Sequence, residues 1–197
     1  MSFYRRHLPH WLPSDTPIFL TWRLRGSQLS GAGPRPAIPQ PKPQTDGQRF
    51  VTLDRELDHA PGPIWLRNPK VAEAVVETLF LAEQWQLCVL FSWVVMSNHV
   101  HVLILPRNPL REVTRAIKST SARLANQILG GTGRPFWQDE SFDHWVRSAT
   151  EFDKISRYIE MNPVNAGLVN QPEDWPWSSA HPRFRRTARG RSGTCPT

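Results

Sequence analysis

Short apolar runs rich in β-branched and aromatic residues predict the strands of this chain. Residues 18–24 (IFLTWRL) and 87–96 (LCVLFSWVVM) have the composition of buried strands. Residues 99–105 (HVHVLIL) form the next such run, and the two residues between, 97–98, predict the turn of an antiparallel hairpin. Residues 136–147 are rich in aromatic side chains and are expected to be partly strand.

Apolar residues at helical spacing predict three helices. The first begins at Asn68-Pro69 and reaches about residue 86, and the second spans about 110–129 and ends at a glycine-rich stretch. The third is expected from Thr150, as N-cap, to Met161, with Asn162-Pro163 ending it. The apolar positions that define the first two helices are Val71, Val75, Leu79, Ala82, Val113, Ile117, Leu124 and Ile128.

The order of these elements predicts the fold class. Strand, helix, strand, strand, helix, strand is typical of a ferredoxin-like α/β sandwich with a central antiparallel sheet. The third helix follows the last strand and is expected on one side of that sheet. We expect residues 1–180 to form a single domain, in which the Pro- and Gly-rich segment 26–63 is an insertion or loop, and residues 181–197 to form a disordered basic tail.

Composition narrows the function classes. No apolar run reaches the roughly 18–20 residues of a membrane span, and residues 1–10 lack the apolar core of a secretory signal. Two cysteines, Cys88 and Cys195, make neither a disulfide framework nor a zinc cluster, which favours a cytoplasmic location.

The net charge is +7, and residues 181–197 contribute five arginines and no acid, so the remainder carries only +2. This balance indicates an anionic partner, although a solvated tail explains it equally well.

The most distinctive local feature is the His-x-His pattern of His99 and His101. Alternate strand residues point to the same side, so both imidazoles face one way, and a pair of neutral imidazoles is a natural binder of divalent metals. Taken alone, the pair is more often an ordinary set of surface or core histidines.

A second feature lies on the third predicted helix. Tyr158 and Asn162 are four residues apart and project from the same helical face. Tyrosine can act as a covalent nucleophile, and an amide oxygen is a hard ligand that suits Mg²⁺ or Mn²⁺. Alternatively, Tyr158 simply borders the apolar stripe of Phe152, Ile155 and Ile159.

Basic residues follow one side of the second predicted helix. Arg111, Arg115 and Lys118 occupy positions i, i+4 and i+7, separate from the apolar stripe. They are candidates for contacts with nucleic-acid phosphates, and a solvated helix face is the alternative.

Together these motifs resemble a known family. The hairpin 94–104 (VVMSNHVHVLI) looks like the metal-binding strand of the HUH single-tyrosine transposases. Residues 136–144 (FWQDESFDH) and 157–169 (RYIEMNPVNAGLV) are similar to the nucleophile region of its REP-associated tyrosine transposase branch. The opening from Arg5-Arg6 to Leu24 and the segment 175–179 (WPWSS) also look like that branch. Two separated motifs in the right order are much more specific than either alone.

The resemblance implies the HUH endonuclease fold, with the additional helix carrying the nucleophile. Tyr158 would attack a phosphate of single-stranded, hairpin-forming DNA to give a 5′-phosphotyrosine and a free 3′-hydroxyl. His99 and His101 would hold one Mg²⁺ or Mn²⁺, with Asn162 as a third ligand, although related enzymes often have glutamine or histidine there. Lys118 is the first candidate for contact with DNA, because that family often has an assisting lysine near this place. Arg115 and Arg111, on the same helix, and Arg157, beside Tyr158, are further candidates, and His144 is a candidate for a place near the metal or the DNA.

The same resemblance implies a cytoplasmic, nucleoid-associated protein with no membrane partner, acting as a monomer or homodimer. Three alternatives stay open at this point. One is a DNA hairpin-binding protein without catalytic activity, and another is a metal-dependent hydrolase in which water attacks. The third is a metal-binding or interaction module that takes no nucleic acid.

Overall fold

A computed structural model describes residues 16–27 and 61–184. The first fifteen residues, most of the predicted insertion at 26–63 and most of the predicted tail at 181–197 lie outside the described residues. Among the described residues, none of the helices combines the length and the apolar character that spanning a membrane demands.

In the described part of the chain, four strands form one antiparallel sheet. Its spatial order is β2-β3-β1-β4, and every neighbouring pair runs antiparallel. The strands are β1 (Ile18–Arg23), β2 (Cys88–Val95), β3 (His99–Pro106) and β4 (Phe142–Trp145). The predicted hairpin and the predicted ferredoxin-like arrangement are therefore confirmed.

Within residues 16–27 and 61–184, three α-helices pack on this sheet, namely α1 (Pro69–Gln84), α2 (Leu110–Ile128) and α3 (Ala149–Asn165). Helix α1 begins as the sequence predicts, because the Asn68 side chain accepts a hydrogen bond of 3.0 Å from the backbone N–H of Lys70 and Pro69 occupies the first helical position. One short 3₁₀ turn, Trp65–Arg67, leads into it.

The two faces of the sheet carry two separate apolar cores. Even-numbered residues of β1 and β3, such as Leu20 and Val102, pack against the buried stripes of α1 and α2. Odd-numbered residues of the same strands, such as Phe19 and Leu103, pack against α3. Strict alternation along each strand explains this division. It also decides which layer His99 and His101 face, namely the layer of α3.

Helix α3 differs from the prediction at both ends. Thr150 is not the N-cap; Ser148 is, and its hydroxyl accepts a hydrogen bond of 3.2 Å from the backbone N–H of Glu151. Pro163 does not end the helix, which continues to Asn165 with that proline buried inside it. A proline inside a helix lacks the N–H donor and its ring crowds the carbonyl four residues earlier, and helix α3 accommodates both effects in its last turn.

Candidate functional site

Strand β3 places His99 and His101 side by side beneath α3. Their ring centroids lie 4.6 Å apart in an edge-to-face arrangement, and both side chains are almost fully buried. The His101 ring also stacks on Phe19 of β1, with centroids 5.6 Å apart. The sequence prediction that both imidazoles face one side of the sheet is confirmed.

A polar neighbour orients each imidazole through its Nδ1 atom. His99 Nδ1 lies 2.7 Å from the side-chain oxygen of Asn98, and His101 Nδ1 lies 2.7 Å from the hydroxyl of Thr21. An amide oxygen only accepts, so His99 Nδ1 donates, and in the neutral ring the lone pair is then on Nε2. The Nε2 atoms of both histidines are shielded from solvent.

Helix α3 brings Tyr158 over the same histidines. The Tyr158 ring centroid lies 6.1 Å from that of His101, and the ring packs against the apolar core on this face. Asn162 follows one helical turn later, is 2% exposed, and has its side-chain oxygen shielded from solvent. The two motifs, more than fifty residues apart in the chain, therefore meet at one place.

The first turn of α3 is tied to strand β4 through Glu151. Its carboxylate accepts hydrogen bonds from the backbone N–H of Arg147, at 2.6 Å, and pairs with His144 Nε2, at 2.9 Å. Burial opposes ionisation of this carboxyl, but the bonds from Arg147 and His144 outweigh it and hold the Glu151 pKa below its ordinary value. His144, which the sequence leaves without a definite role, thus positions the helix that carries Tyr158.

The predicted DNA-contacting residues lie in different surroundings. Arg111 and Arg115 are exposed on α2, in the helix layer on the far side of the sheet from the histidines, and Arg157 is exposed on α3. Lys118 Nζ donates to the backbone oxygens of Gln138, at 2.6 Å, and Asp139, at 3.0 Å. Lys118 therefore holds the chain segment before β4, and its contact with DNA, like those of the three arginines, stays a prediction.

Two other kinds of site find no support among the described residues. No group of three or more His, Cys, Asp and Glu side chains is placed to hold a metal there. Burial raises the pKa of the Cys88 thiol to about 12, so this cysteine is not an available nucleophile at neutral pH.

Sequence reasoning missed Thr21 and Asn98 as supporting residues of the site. Asn98 directly precedes His99, so the sequence alone offers its amide as a possible hydrogen-bond partner of that imidazole. Thr21 lies eighty residues from His101 and reaches it only through the pairing of β1 with β3. No local feature of the sequence indicates that register.

Comparison with known proteins assigns the family. The family model described as "Transposase IS200 like" matches residues 65–162, about half of the chain. The chain belongs to this family. The matched residues include both histidines, Tyr158 and Asn162.

Individual relatives agree with this assignment. The chain is 31% identical over 100 residues to the REP-associated tyrosine transposase of Escherichia coli K12. The aligned region covers 50% of this chain and 56% of that relative. It is 26% identical over 98 residues to a Haemophilus influenzae relative, again 56% of that protein. The chain thus spans about half the length of the curated relatives it matches.

A solved structure supports the fold. The structure of a REP-associated tyrosine transposase bound to a REP hairpin matches with a TM-score of 0.55 and 22% identity, over 92% of this chain and 84% of that one. The fold expected from the sequence, an antiparallel sheet with an additional helix behind it, is the fold of this transposase.

Proposed function

We propose that this protein nicks and rejoins single-stranded DNA, in a metal-dependent reaction in which Tyr158 is the nucleophile. The observation that carries the proposal is the approach of Tyr158 to His101, with ring centroids 6.1 Å apart, while His99 lies 4.6 Å from His101. Binding DNA alone requires neither the histidine pair nor a tyrosine beside it.

The donor set suits a hard or borderline divalent ion, Mg²⁺ or Mn²⁺. His99 and His101 would hold it through Nε2, and Asn162 through its amide oxygen, and all three atoms are shielded from solvent. The bond between His99 and Asn98 leaves the lone pair on the correct nitrogen for this role. A bound ion would polarise the scissile phosphate and stabilise the charge that develops on it.

The proposed reaction exchanges one phosphodiester for another. The Tyr158 oxygen attacks the phosphorus, the bond to the 3′-oxygen breaks, and the leaving oxygen takes up a proton as a 3′-hydroxyl. The phenolic proton is lost during the attack, because a neutral phenol, with an ordinary pKa of about 10, is a weak nucleophile. Reversal by another 3′-hydroxyl joins strands, so no nucleotide cofactor is needed.

Hairpin-forming or repeat DNA is the proposed substrate. The REP-associated transposase of similar fold was solved with a REP hairpin, and a single strand beside such a hairpin would offer the unpaired phosphate that Tyr158 needs. Lys118, Arg111, Arg115 and Arg157 are proposed phosphate contacts around it.

The test is covalent trapping on hairpin DNAs with single-stranded flanks, labelled at either end, with Mg²⁺ or Mn²⁺. We expect a protein–DNA adduct on a denaturing gel that EDTA prevents and Tyr158→Phe abolishes. Tyr4→Phe is the matched control, because Tyr4 and Tyr158 are the two tyrosines of the chain. Cutting without an adduct in Tyr158→Phe would establish attack by water instead. Binding to a broad hairpin panel without any cutting would favour the binding protein.

A further inference from the structure

Arg23 is the last residue of β1 and lies directly beside the histidine pair. In the pairing of β1 with β3, Arg23 is opposite His99, just as Thr21 is opposite His101. Thr21 bonds to His101 on the α3 face of the sheet, and strand alternation puts Arg23 on that same face. Side chains directly opposite in an antiparallel pair have Cβ atoms about 4.5–5.5 Å apart, so the Arg23 side chain starts next to the His99 ring.

The charge of Arg23 is only partly compensated by the protein. Its Nη1 atom is buried and has no hydrogen-bond partner in the part of the chain that the structure describes. Burial lowers the pKa of the guanidinium, while the negative charge of Glu140 raises it. A buried donor of a cation that is left without an acceptor is unfavourable, and an incoming anion removes that penalty.

The backbone around Arg23 is held in place from both sides. The Arg23 carbonyl accepts a hydrogen bond of 2.9 Å from the N–H of Gln138, whose own carbonyl is bound by Lys118. On the other side, the N–H of Leu24 donates to the carbonyl of Asn98 at 2.8 Å, one residue before His99. These bonds fix the point from which the Arg23 side chain starts, so this backbone does not have to be ordered when a ligand binds.

We propose that Arg23 binds a non-bridging oxygen of the phosphate that Tyr158 attacks. This inference rests on the proposed function and adds to it a protein-borne cation at the reacting phosphate. The guanidinium presents several N–H donors in a planar fork that matches phosphate oxygens, which a lysine does not reproduce. It neutralises charge on the scissile phosphate before the attack and keeps that contact while charge develops.

The test compares Arg23→Met and Arg23→Lys with Arg123→Met. Methionine keeps an unbranched apolar stem without the charge, and Arg123 is an exposed arginine of α2, in the opposite helix layer. Circular dichroism and thermal melting establish that each variant is folded. If Arg23→Met does not fold, Arg23→Lys replaces it in the comparison, because lysine keeps the positive charge but lacks the planar guanidinium group.

Two readouts separate this inference from the proposed function. The first is the affinity for a fluorescent hairpin DNA with single-stranded flanks, measured in EDTA at several salt concentrations. The second is the single-turnover rate of adduct formation at saturating DNA. We expect Arg23→Met to reduce the salt slope by about 0.7, as for one lost single-strand phosphate contact, and the rate by about 10²–10³-fold. Arg23→Lys should recover part of the rate.

A neutral methylphosphonate at the cut position identifies the phosphate concerned. It should slow the wild-type protein and have little further effect on Arg23→Met, because that variant has already lost the guanidinium that would contact the phosphate charge. Arg23→Met within twofold of Arg123→Met in both readouts overturns the inference and leaves the nicking activity standing. No adduct with wild-type protein, together with a salt slope reduced only in Arg23→Met, overturns the nicking reaction and leaves Arg23 as a phosphate contact.

Discussion

At the scale of single residues, one polar neighbour holds each imidazole of the candidate site by its Nδ1 atom. Asn98 fixes the His99 ring and Thr21 the His101 ring, each at 2.7 Å. The histidines and Tyr158 were predictable, because strand alternation and helical spacing are local properties of the sequence. Their supports were less so, since the contact with Thr21 depends on a strand pairing that joins residues 80 positions apart.

Asn98→Ala tests the support of His99. Without the amide oxygen, His99 Nδ1 loses its acceptor, and the ring is free to rotate or change tautomer. We expect Mn²⁺ affinity, measured by calorimetric titration, to fall about 10–100-fold, as for loss of the hydrogen-bond partner of a metal-binding histidine. Ser97→Ala, in the same turn, is the control and should retain the wild-type affinity. Equal affinities in both variants would show that Asn98 does not prepare His99 for a metal.

At the scale of elements, helix α3 ends shortly before Gly167 and not at Pro163, where the sequence predicts its end. Gly167 has a φ of +68°, its N–H bonds to the carbonyl of Val164, and the N–H of Leu168 bonds to that of Pro163, each at 2.9 Å. These two bonds form a Schellman motif, which ends a helix at a residue in the left-handed region. Pro163 suggested an earlier end because its missing N–H is easily read from sequence, whereas tolerance of that loss depends on burial and on the turn beyond.

A Schellman motif also ends α1. Substitutions at the left-handed residues of the two motifs should therefore change the free energy of unfolding in opposite directions. At the end of α1 the left-handed residue is Gln86, with a φ of +58°, exposed to solvent. Gly167→Ala places a Cβ in open space and should cost about 1 kcal/mol from backbone strain alone. Gln86→Gly relieves the same strain and should stabilise by about 0.5–1 kcal/mol. Urea unfolding measures both, and shifts of the same sign in the two variants would contradict this explanation.

The start of α3 gives a prediction about pH. The folded-state pKa of Glu151 lies below its ordinary value, which is about 4.3. The ionised carboxylate therefore stabilises the folded protein fully above that ordinary value. This stabilisation is lost as the pH falls through the lower folded-state pKa. We expect Glu151→Gln to lower the free energy of unfolding by about 1 kcal/mol at pH 7. The difference from wild type should shrink as the pH falls below about 4.

Urea unfolding across this pH range measures the effect on α3. Glu77→Gln, at an exposed position of α1, is the matched control and should show little difference from wild type at any pH. A difference between wild type and Glu151→Gln that is constant with pH would show that the ionised carboxylate is not what stabilises the start of α3.

At the scale of the whole molecule, the sequence was most informative. The order of strands and helices, the antiparallel hairpin and the two-sided alternation of β1 and β3 leave few compatible sheet orders, and the observed β2-β3-β1-β4 is the ferredoxin-like one. The division of the faces then separates roles. Helices α1 and α2 fill one core, and α3 covers the other face, where the histidines and Tyr158 meet.

The charge of the chain is distributed unevenly along its length, and this gives the last prediction. Four arginines follow Phe184 and no acid accompanies them, out of a net charge of +7. Arginines far along the chain from Tyr158 are expected to contact phosphates without regard to sequence. Ending the chain after Phe184 should therefore weaken binding to all hairpin DNAs alike and reduce the salt slope by at most about 3, since each single-strand phosphate contact contributes about 0.7.

A full-length variant with glutamine at Arg185, Arg186, Arg189 and Arg191 separates the effect of charge from that of length. Fluorescence anisotropy over a salt series should give the same loss of affinity for this variant as for the truncated chain. The rate of adduct formation at saturating DNA should not change in either, because the proposed attack by Tyr158 takes place on the face of the sheet beneath α3. A slower reaction at saturation would instead place tail arginines at the reacting phosphate, alongside the proposed role of Arg23.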